Sequence, residues 1–415
     1  AMRHHGLGRA FDPVGVPLSQ LNATVVDVLA AANFSYVSFG GGADCQVPDG
    51  DTPGSYLTPQ VLASLERLNS TTTTAAVQFG EYGYYFHCLQ KDPAWYHVVY
   101  QTPAAFARHQ HDITPPGLMG FRSMPKSHAE AYAAVAAYVE ERRQAFKGWM
   151  FAYLTGHAHY SEMYAARWGA GMISMEVGAD VGSSQSKIAF ARGSSRRHKI
   201  PWSLQVSPWY ISSCTTHGPV RNSGGTWTGS AAGHSMSFVR RLLLQGWFAG
   251  AALLTPENSG NSFFDRQPAA GDMGTLSPHG RMGAAVNRFI GSHDRGVPYI
   301  PVLTVIDEHA GYSRIPCNWS GVSWGIFSQN AEANETAHLD ASVPADILVH
   351  LFEQQIYPSA NRGPEPEAAQ LRPTPFGELI DVGLSDTPAQ VLAAYTVILL
   401  AGGDIDFGRK SAEGT

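Results

Sequence analysis

The sequence predicts an α/β protein: a (β/α)8 TIM barrel followed by part of a flavodoxin-like α/β domain. Three observations lead there. Helical stretches alternate with short apolar strands, the pattern of parallel strands joined by crossovers. The strands run into loops rich in Gly, aromatic and polar residues. No dinucleotide Gly fingerprint follows any strand, which favours a barrel over an open doubly wound sheet. A chain of 415 residues accommodates a barrel-sized domain and a smaller one.

Each repeat can be read in order. PLSQLNATVVDVLAAAN is helical by its apolar spacing, and SYVSFGGG follows as a strand. TPQVLASLERLN is the next helix, leading into TTAAVQFGEYG. SHAEAYAAVAAYVEERRQAF carries Ala, Val and Tyr on one face and Glu and Arg on the other, the strongest helix of the chain. After it come GWMFAYLTGH and, past the helix YSEMYAARWG, GMISMEVG. SQSKIAFARGSSRRH is helical and precedes PWSLQVSPW. SMSFVRRLLLQGWF precedes GAALLTPE, and SPHGRMGAAVNRFIGSH precedes PYIPVLTVID. That makes seven strands before residue 310, with room for a weak eighth in residues 211–230. The barrel is expected to occupy residues 1–335. Residues 336–415 hold about two further strands, FGELIDVGLS and TVILLAGGD, too few for an independent sheet, and read as the beginning of an incomplete domain.

Bulk properties narrow the function classes. Net charge is -6, and Lys and Arg are scattered apart from SSRRHK at 194–199. That cluster reads as the solvated end of a helix, not a nucleic-acid face. No apolar run reaches the ~18 residues of a membrane span. Cys45, Cys88, Cys214 and Cys317 are spaced too widely for a zinc site. N-x-S/T sequons begin at Asn22, Asn33, Asn69, Asn318 and Asn334. With few lysines and many aromatics they point to a secreted or lumenal glycoprotein with one or two disulfides.

Barrel active sites lie at the C-terminal strand ends, so residues there are the candidates. Glu257 and Asn258 follow LLTP. Glu176 ends ISME, and Glu81 and Tyr82 follow VQFG. His157 and His159 follow AYLTG, Trp209 and Tyr210 follow LQVSP, and Asp307, Glu308 and His309 follow VLTVI. Such a rim suits sugars: aromatic faces stack on pyranose C–H surfaces, and Asp, Glu, Asn and His bond hydroxyls. Two carboxylates flanking a glycosidic oxygen supply an acid and a nucleophile or base. A lone His-x-His is a weak metal signal, no G-x-S-x-G elbow follows a strand, and SFGGGAD lacks the Lys-Ser/Thr of a phosphate loop. Neither metal nor cofactor is expected. An aldolase-like Schiff base would need a strand-end lysine, whereas Lys187 and Lys199 fall in a helix and the turn after it.

Taken together, TPENS, then LSPHGRMGAAVNRFI some twenty residues on, resembles glycoside hydrolase clan A, nearest in character to the family 42 β-galactosidases. RPTPFGELIDVGLSDTPAQVLAAYTVILLAGG is similar to the opening of the class I glutamine amidotransferase-like trimerisation domain found there. The resemblance implies a retaining glycosidase acting on an oligo- or polysaccharide, with its nucleophile after strand 7 and its acid/base at strand 4. Glu257 matches the first place and Glu176 the second, provided the weak strand lies in residues 211–230. Met175 stands where the family has Asn before the acid/base, so Glu81 is the reserve. Glu81, Tyr82, His157, Trp209, Tyr210, Asn258, Asp307 and His309 are the expected substrate contacts, and the C-terminal domain is the expected route to a homo-oligomer. The competing expectation is a non-catalytic glycan-binding or structural glycoprotein on the same barrel.

Overall fold

The computed structural model describes His5, Leu7 and residues 22–32, 36–39, 58–71, 74–79, 150–155, 165–177, 184–206, 209–210, 213–215, 221–223, 226–229, 236–256, 263–265, 272–308, 351–352 and 374–401, with four helical positions at 133, 136, 140 and 143. Strands β1 (Tyr36–Phe39), β2 (Thr74–Phe79), β3 (Met150–Thr155), β4 (Met172–Val177) and β5 (Trp202–Val206) pair in chain order, every pair parallel. The sheet always advances in one direction and has no point where strand order reverses. That is the winding of a barrel wall, not of a doubly wound sheet.

Residues 209–229 depart from the expectation. They form a small four-stranded sheet of β6 (Trp209–Tyr210), β7 (Ser213–Thr215), β8 (Arg221–Ser223) and β9 (Thr226–Gly229), in the order β6-β7-β9-β8. Strand β10 (Leu253–Pro256) then pairs directly with β5, Leu253 opposite Ser203. No hidden strand separates them, so among the described residues β10 is the sixth strand of this sheet. The stretch is rich in Gly, Ser and Thr and lacks the aliphatic run of a doubly buried parallel strand.

The helices begin where capping chemistry places them. Asn22 Oδ1 accepts from the Val25 N–H at 3.2 Å ahead of α1 (Ala23–Ala32). Thr58 Oγ1 accepts from Val61 N–H at 3.3 Å, with Pro59 opening α2 (Pro59–Asn69). Each cap satisfies a donor that the first turn leaves unpaired, and proline at N1 costs none. Helix α3 is Ser184–His198 and α4 is Met236–Ala249. In α5 (Pro278–Ser292), Ser277 Oγ accepts from Gly280 N–H at 3.1 Å, so LSPHG does open a helix.

Strand β11 (Val302–Ile306), expected to be the last barrel strand, pairs elsewhere. It is the centre of a second parallel sheet, between β12 (Ile380–Leu384) and β13 (Val397–Leu400). An aliphatic VLTVI strand meets the needs of any parallel sheet, and its own composition does not choose the partner. The boundary expected at residue 335 thus passes through the sheet, with β11 on one side of it and β12 and β13 on the other. Ile300, Leu303, Val305 and Tyr395 form its core, with Val391 and Leu392 of α6 (Ala389–Leu392) packed against them. All four residues of β13 are exposed.

Helix α3 lies between the two sheets, against β4 and β5 on one side and β12 on the other. Every residue from Ser184 to Ser194 is buried, although the helix is mostly polar. Its charges are paired across to the second sheet. Arg192 Nε donates to Asp381 Oδ1 at 2.5 Å and Nη2 to the Ile380 carbonyl at 2.8 Å, with Arg192 4 % and Asp381 0 % exposed. Arg196 reaches Asp381 Oδ2 at 3.3 Å, and Tyr395 O–H donates to the same oxygen at 2.8 Å. Burial and the adjacent Asp381 charge hold the Tyr395 phenol well above its usual range. Arg197 grips Asp386 with two bonds of 2.6 and 2.8 Å. SSRRHK is therefore a helix end as expected, but Arg196 and Arg197 work against the second sheet instead of water.

Backbone contact there is equally close. A Cβ on Gly193 would stand 2.0 Å from the Val382 carbonyl oxygen. Gly193→Ala should therefore push α3 off β12 and cost about 2–3 kcal/mol, measured as a lowered denaturation midpoint with an unchanged m-value.

The same interface makes stability depend on pH. Burial first, then Arg197 and Arg167, push His198 down to about 4, against an ordinary value of 6.5. Between those values the unfolded chain takes up a proton that the folded chain refuses. Stability should fall as pH drops from 6.5 towards about 4, after which this contribution is fully lost. For Asp386, burial pushes the carboxyl up, but the Arg197 bond and the Arg167 and Arg197 charges together hold it below 3.8. Its contribution is present above that value and disappears at lower pH still. Denaturant midpoints measured from pH 7 to 3 should show this slope, and His198→Gln should flatten its upper part.

Candidate functional site

The two faces of the six-stranded sheet differ in character. A Cβ on Gly246 of α4 would lie 2.5 Å from a Leu204 methyl and 2.9 Å from a Leu254 methyl, so these leucines face the helix layer. Side chains alternate along a strand. Ser203 and Gln205 of β5, and Leu253 and Thr255 of β10, therefore stand on the opposite face. Register brings Ser174 and Glu176 of β4 to that face as well, opposite Ser203 and Gln205. Ser203 Oγ donating to Ser174 Oγ at 2.9 Å fits this placement.

The face is built in layers. Ser174, Ser203 and Leu253 are partners in one row, and Glu176, Gln205 and Thr255 in the next row towards the C-terminal strand ends. Both serines are buried, and Glu176 is 4 % exposed. Gln205 and Thr255 are half-buried. Lys187 of α3, 1 % exposed, donates from Nζ to the Glu176 carbonyl oxygen at 3.1 Å. That bond ties the end of β4 to the buried helix behind it. The row thus combines one carboxylate with an amide and a hydroxyl, all directed away from the helix layer. Such a set can hold hydroxyl groups and exchange a proton.

The expected residues are distributed as follows. Glu176 ends β4, the fourth described strand of the six-stranded sheet, but the weak strand on which its strand-4 assignment is conditional does not lie between β5 and β10. Glu257 comes directly after Pro256, the last residue of β10, but Glu257, Asn258, Glu81, Tyr82, His157, His159 and His309 lie outside the described residues. Trp209 and Tyr210 belong to the small sheet, paired with Cys214 and Ser213, and do not continue β5. Asp307 is exposed but follows β11, so it ends the second sheet and not the six-stranded one. Glu308 sits 3.9 Å from Arg167, and its N–H donates to Ser385 Oγ at 3.1 Å, a structural arrangement. Of the sequon asparagines, Asn22 and Asn69 are exposed, while Asn33, Asn318 and Asn334 lie outside the described residues. Cys45, Cys88 and Cys317 lie outside them too. Among the described residues no three His, Cys, Asp or Glu side chains gather as a metal site, and no helix is long and apolar enough to cross a membrane.

Sequence reasoning passed over Gln205, Thr255 and Lys187. A signal for the first two was present in SLQV and LLTP, where a polar residue interrupts an apolar strand near its end. Lys187 carried no such signal, because a lysine on a polar helix reads as solvated.

Comparison with known proteins gives no matching family model and no matching curated protein. Among solved structures, the chain is similar to a putative alpha-L-fucosidase from Bacteroides thetaiotaomicron, with 9% identity and a TM-score of 0.34 over 69% of this chain and 93% of that one. It is similar to a GH5_18 variant from Bifidobacterium longum in complex with Manβ1-4GlcNAc, with 11% identity and a TM-score of 0.37 over 91% and 80%. A third is the exo-beta-1,4-mannosidase Op5Man5 from Opitutaceae bacterium strain TAV5, with 12% identity and a TM-score of 0.36 over 91% and 68%. Likenesses of this extent fix neither substrate nor mechanism, and the site has to be read from its own residues.

Lys187→Met would keep the length of the side chain and remove the donor from the Glu176 carbonyl. Leaving that buried oxygen without its donor should cost about 1–3 kcal/mol, visible as a lowered thermal or urea midpoint.

Proposed function

We propose that the chain is a glycoside hydrolase built on a (β/α)8-type barrel, with Glu176 as general acid/base and Glu257 as nucleophile. The observation that carries this reading is the position of Glu176. It is a buried carboxylate at the C-terminal end of the fourth strand of a singly wound parallel sheet, on the face turned away from the helices, in a row with an amide and a hydroxyl. Active sites of such folds lie at that end of the strands. Glu257 follows two residues after Thr255, which is in register with Glu176 through Gln205. The clan resemblance of TPENS and the LSPHG helix entry supports the same pair. The place of β10 as the sixth described strand departs from the clan's seventh, so Glu257 is assigned here by its sequence position two residues after Thr255 and not by strand number.

In this mechanism the Glu257 carboxylate attacks the anomeric carbon while Glu176 gives its proton to the leaving glycosidic oxygen. Water then enters, Glu176 takes its proton, and the glycosyl–Glu257 ester is cleaved with net retention. Secretion, N-glycosylation and self-association through the C-terminal region belong to the same proposal and rest on the sequence alone.

Glu176→Gln should lower kcat on unactivated glycosides by about 10²–10⁴-fold with its melting temperature near that of the parent, and Glu257→Gln should abolish turnover. Proton NMR of the first-formed sugar should show the anomer of the substrate. Full activity in either variant, or an inverted product, overturns the assignment.

A further inference from the structure

We infer that Gln205, flanked by Thr255, binds a hydroxyl group of a neutral sugar beside the Glu176 carboxylate and sets which sugar the site accepts. The inference rests on the hydrolase reading and extends it to residues that neither the motifs nor the strand-end pattern singled out. Three observations support it. Gln205 is the direct register partner of Glu176 on β5, and Thr255 is the partner of Gln205 on β10. Neighbouring strands lie ~4.8 Å apart, so the three residues span about 10 Å, close to the width of one sugar ring with its hydroxyls. Both flanking side chains are half-buried. Among the described residues neither the Gln205 amide nor the Thr255 hydroxyl has a hydrogen-bond partner, whereas the serines one row deeper bond each other.

This difference between rows matters. A polar group sunk in a sheet is normally satisfied within the protein, as Ser174 and Ser203 are. Gln205 offers two amide donors and a carbonyl acceptor, and Thr255 one donor and two lone pairs. The pair matches a vicinal diol better than a carboxylate or phosphate, because the row presents no cationic side chain. A bond from the amide to a ring hydroxyl would also fix the ring against Glu176, so its loss should reduce turnover as well as binding.

The test uses the full chain. Wild type is screened with glucose, galactose, mannose, fucose and N-acetylglucosamine by saturation-transfer NMR, and with their 4-nitrophenyl glycosides for turnover. On the best substrate, Gln205→Ala should lower kcat/KM about tenfold or more, and Thr255→Ala should lower it by less. Monodeoxy versions of that substrate identify the hydroxyl. One of them should be penalised in wild type but not in Gln205→Ala, the coupling expected of two groups in contact. Gln205→Glu keeps the shape and sets a second carboxyl beside Glu176. It should move the basic limb of the pH profile upward by about one unit, a change that a purely structural side chain would not cause. Kinetics of Gln205→Ala within twofold of wild type, or equal deoxy penalties in both proteins, sink this inference and leave the hydrolase reading standing. Absence of both binding and turnover across the panel in wild type sinks both.

Discussion

The rest of the structure depends on the ion pair between Arg192 and Asp381. It lets a polar helix be buried on both sides. A guanidinium and a carboxylate taken out of water each lose several kcal/mol of solvation, which only a close partner and further hydrogen bonds restore. Here the guanidinium also donates to the Ile380 carbonyl, and the second carboxylate oxygen accepts from Tyr395 and lies near Arg196. The pair adds less to net stability than an apolar contact of the same size, but it is demanding about position. If β12 slid by one residue along β11, Val382 or Ile380 would stand where Asp381 meets Arg192, and the guanidinium would be stranded.

That demand extends to the candidate site. Lys187 projects from the same helix and holds the end of β4 through the Glu176 carbonyl. Gln185, two residues earlier, donates to the Thr374 carbonyl at 3.3 Å and accepts from the Thr374 N–H at 3.2 Å. One helix therefore reads the position of the second sheet and fixes the strand that carries the carboxylate. The six-stranded sheet supplies the row Glu176–Gln205–Thr255, and the β11–β12–β13 sheet keeps its backing helix in place.

Much of this was legible in the sequence. The apolar runs of β4, β5, β10 and β12 are unambiguous, and the Ser-Pro entry to α5 carries its own capping chemistry. The polar character of Glu176 at a strand tip was equally visible in ISME, although the sequence alone did not choose between a structural ion pair and a catalytic role. Other features were not legible, for identifiable reasons. VLTVI has the same composition whichever parallel sheet it joins, so β11 could be assigned only by its partners β12 and β13. Residues 209–229 contain only short β-prone fragments of two to four residues, too short for periodicity to fix their pairing. Helix α3 was the hardest case. Its sequence, SQSKIAFARGSSRRH, is that of a solvent-facing helix, and the partners that let its arginines be buried, Asp381 and Asp386, lie almost two hundred residues away.

The clearance at Gly193 restricts how this chain can vary. Surfaces that meet through side chains tolerate drift, because a neighbour can shrink when its partner grows. Val382 presents a main-chain oxygen to the helix, and no substitution on β12 can withdraw it. The second sheet consequently cannot be exchanged for another of similar outline by recombination at residue 300. An incoming strand would have to bring a carboxylate to position 381, and the helix would have to keep glycine at position 193, so the helix and the second sheet are bound to evolve as one inherited unit.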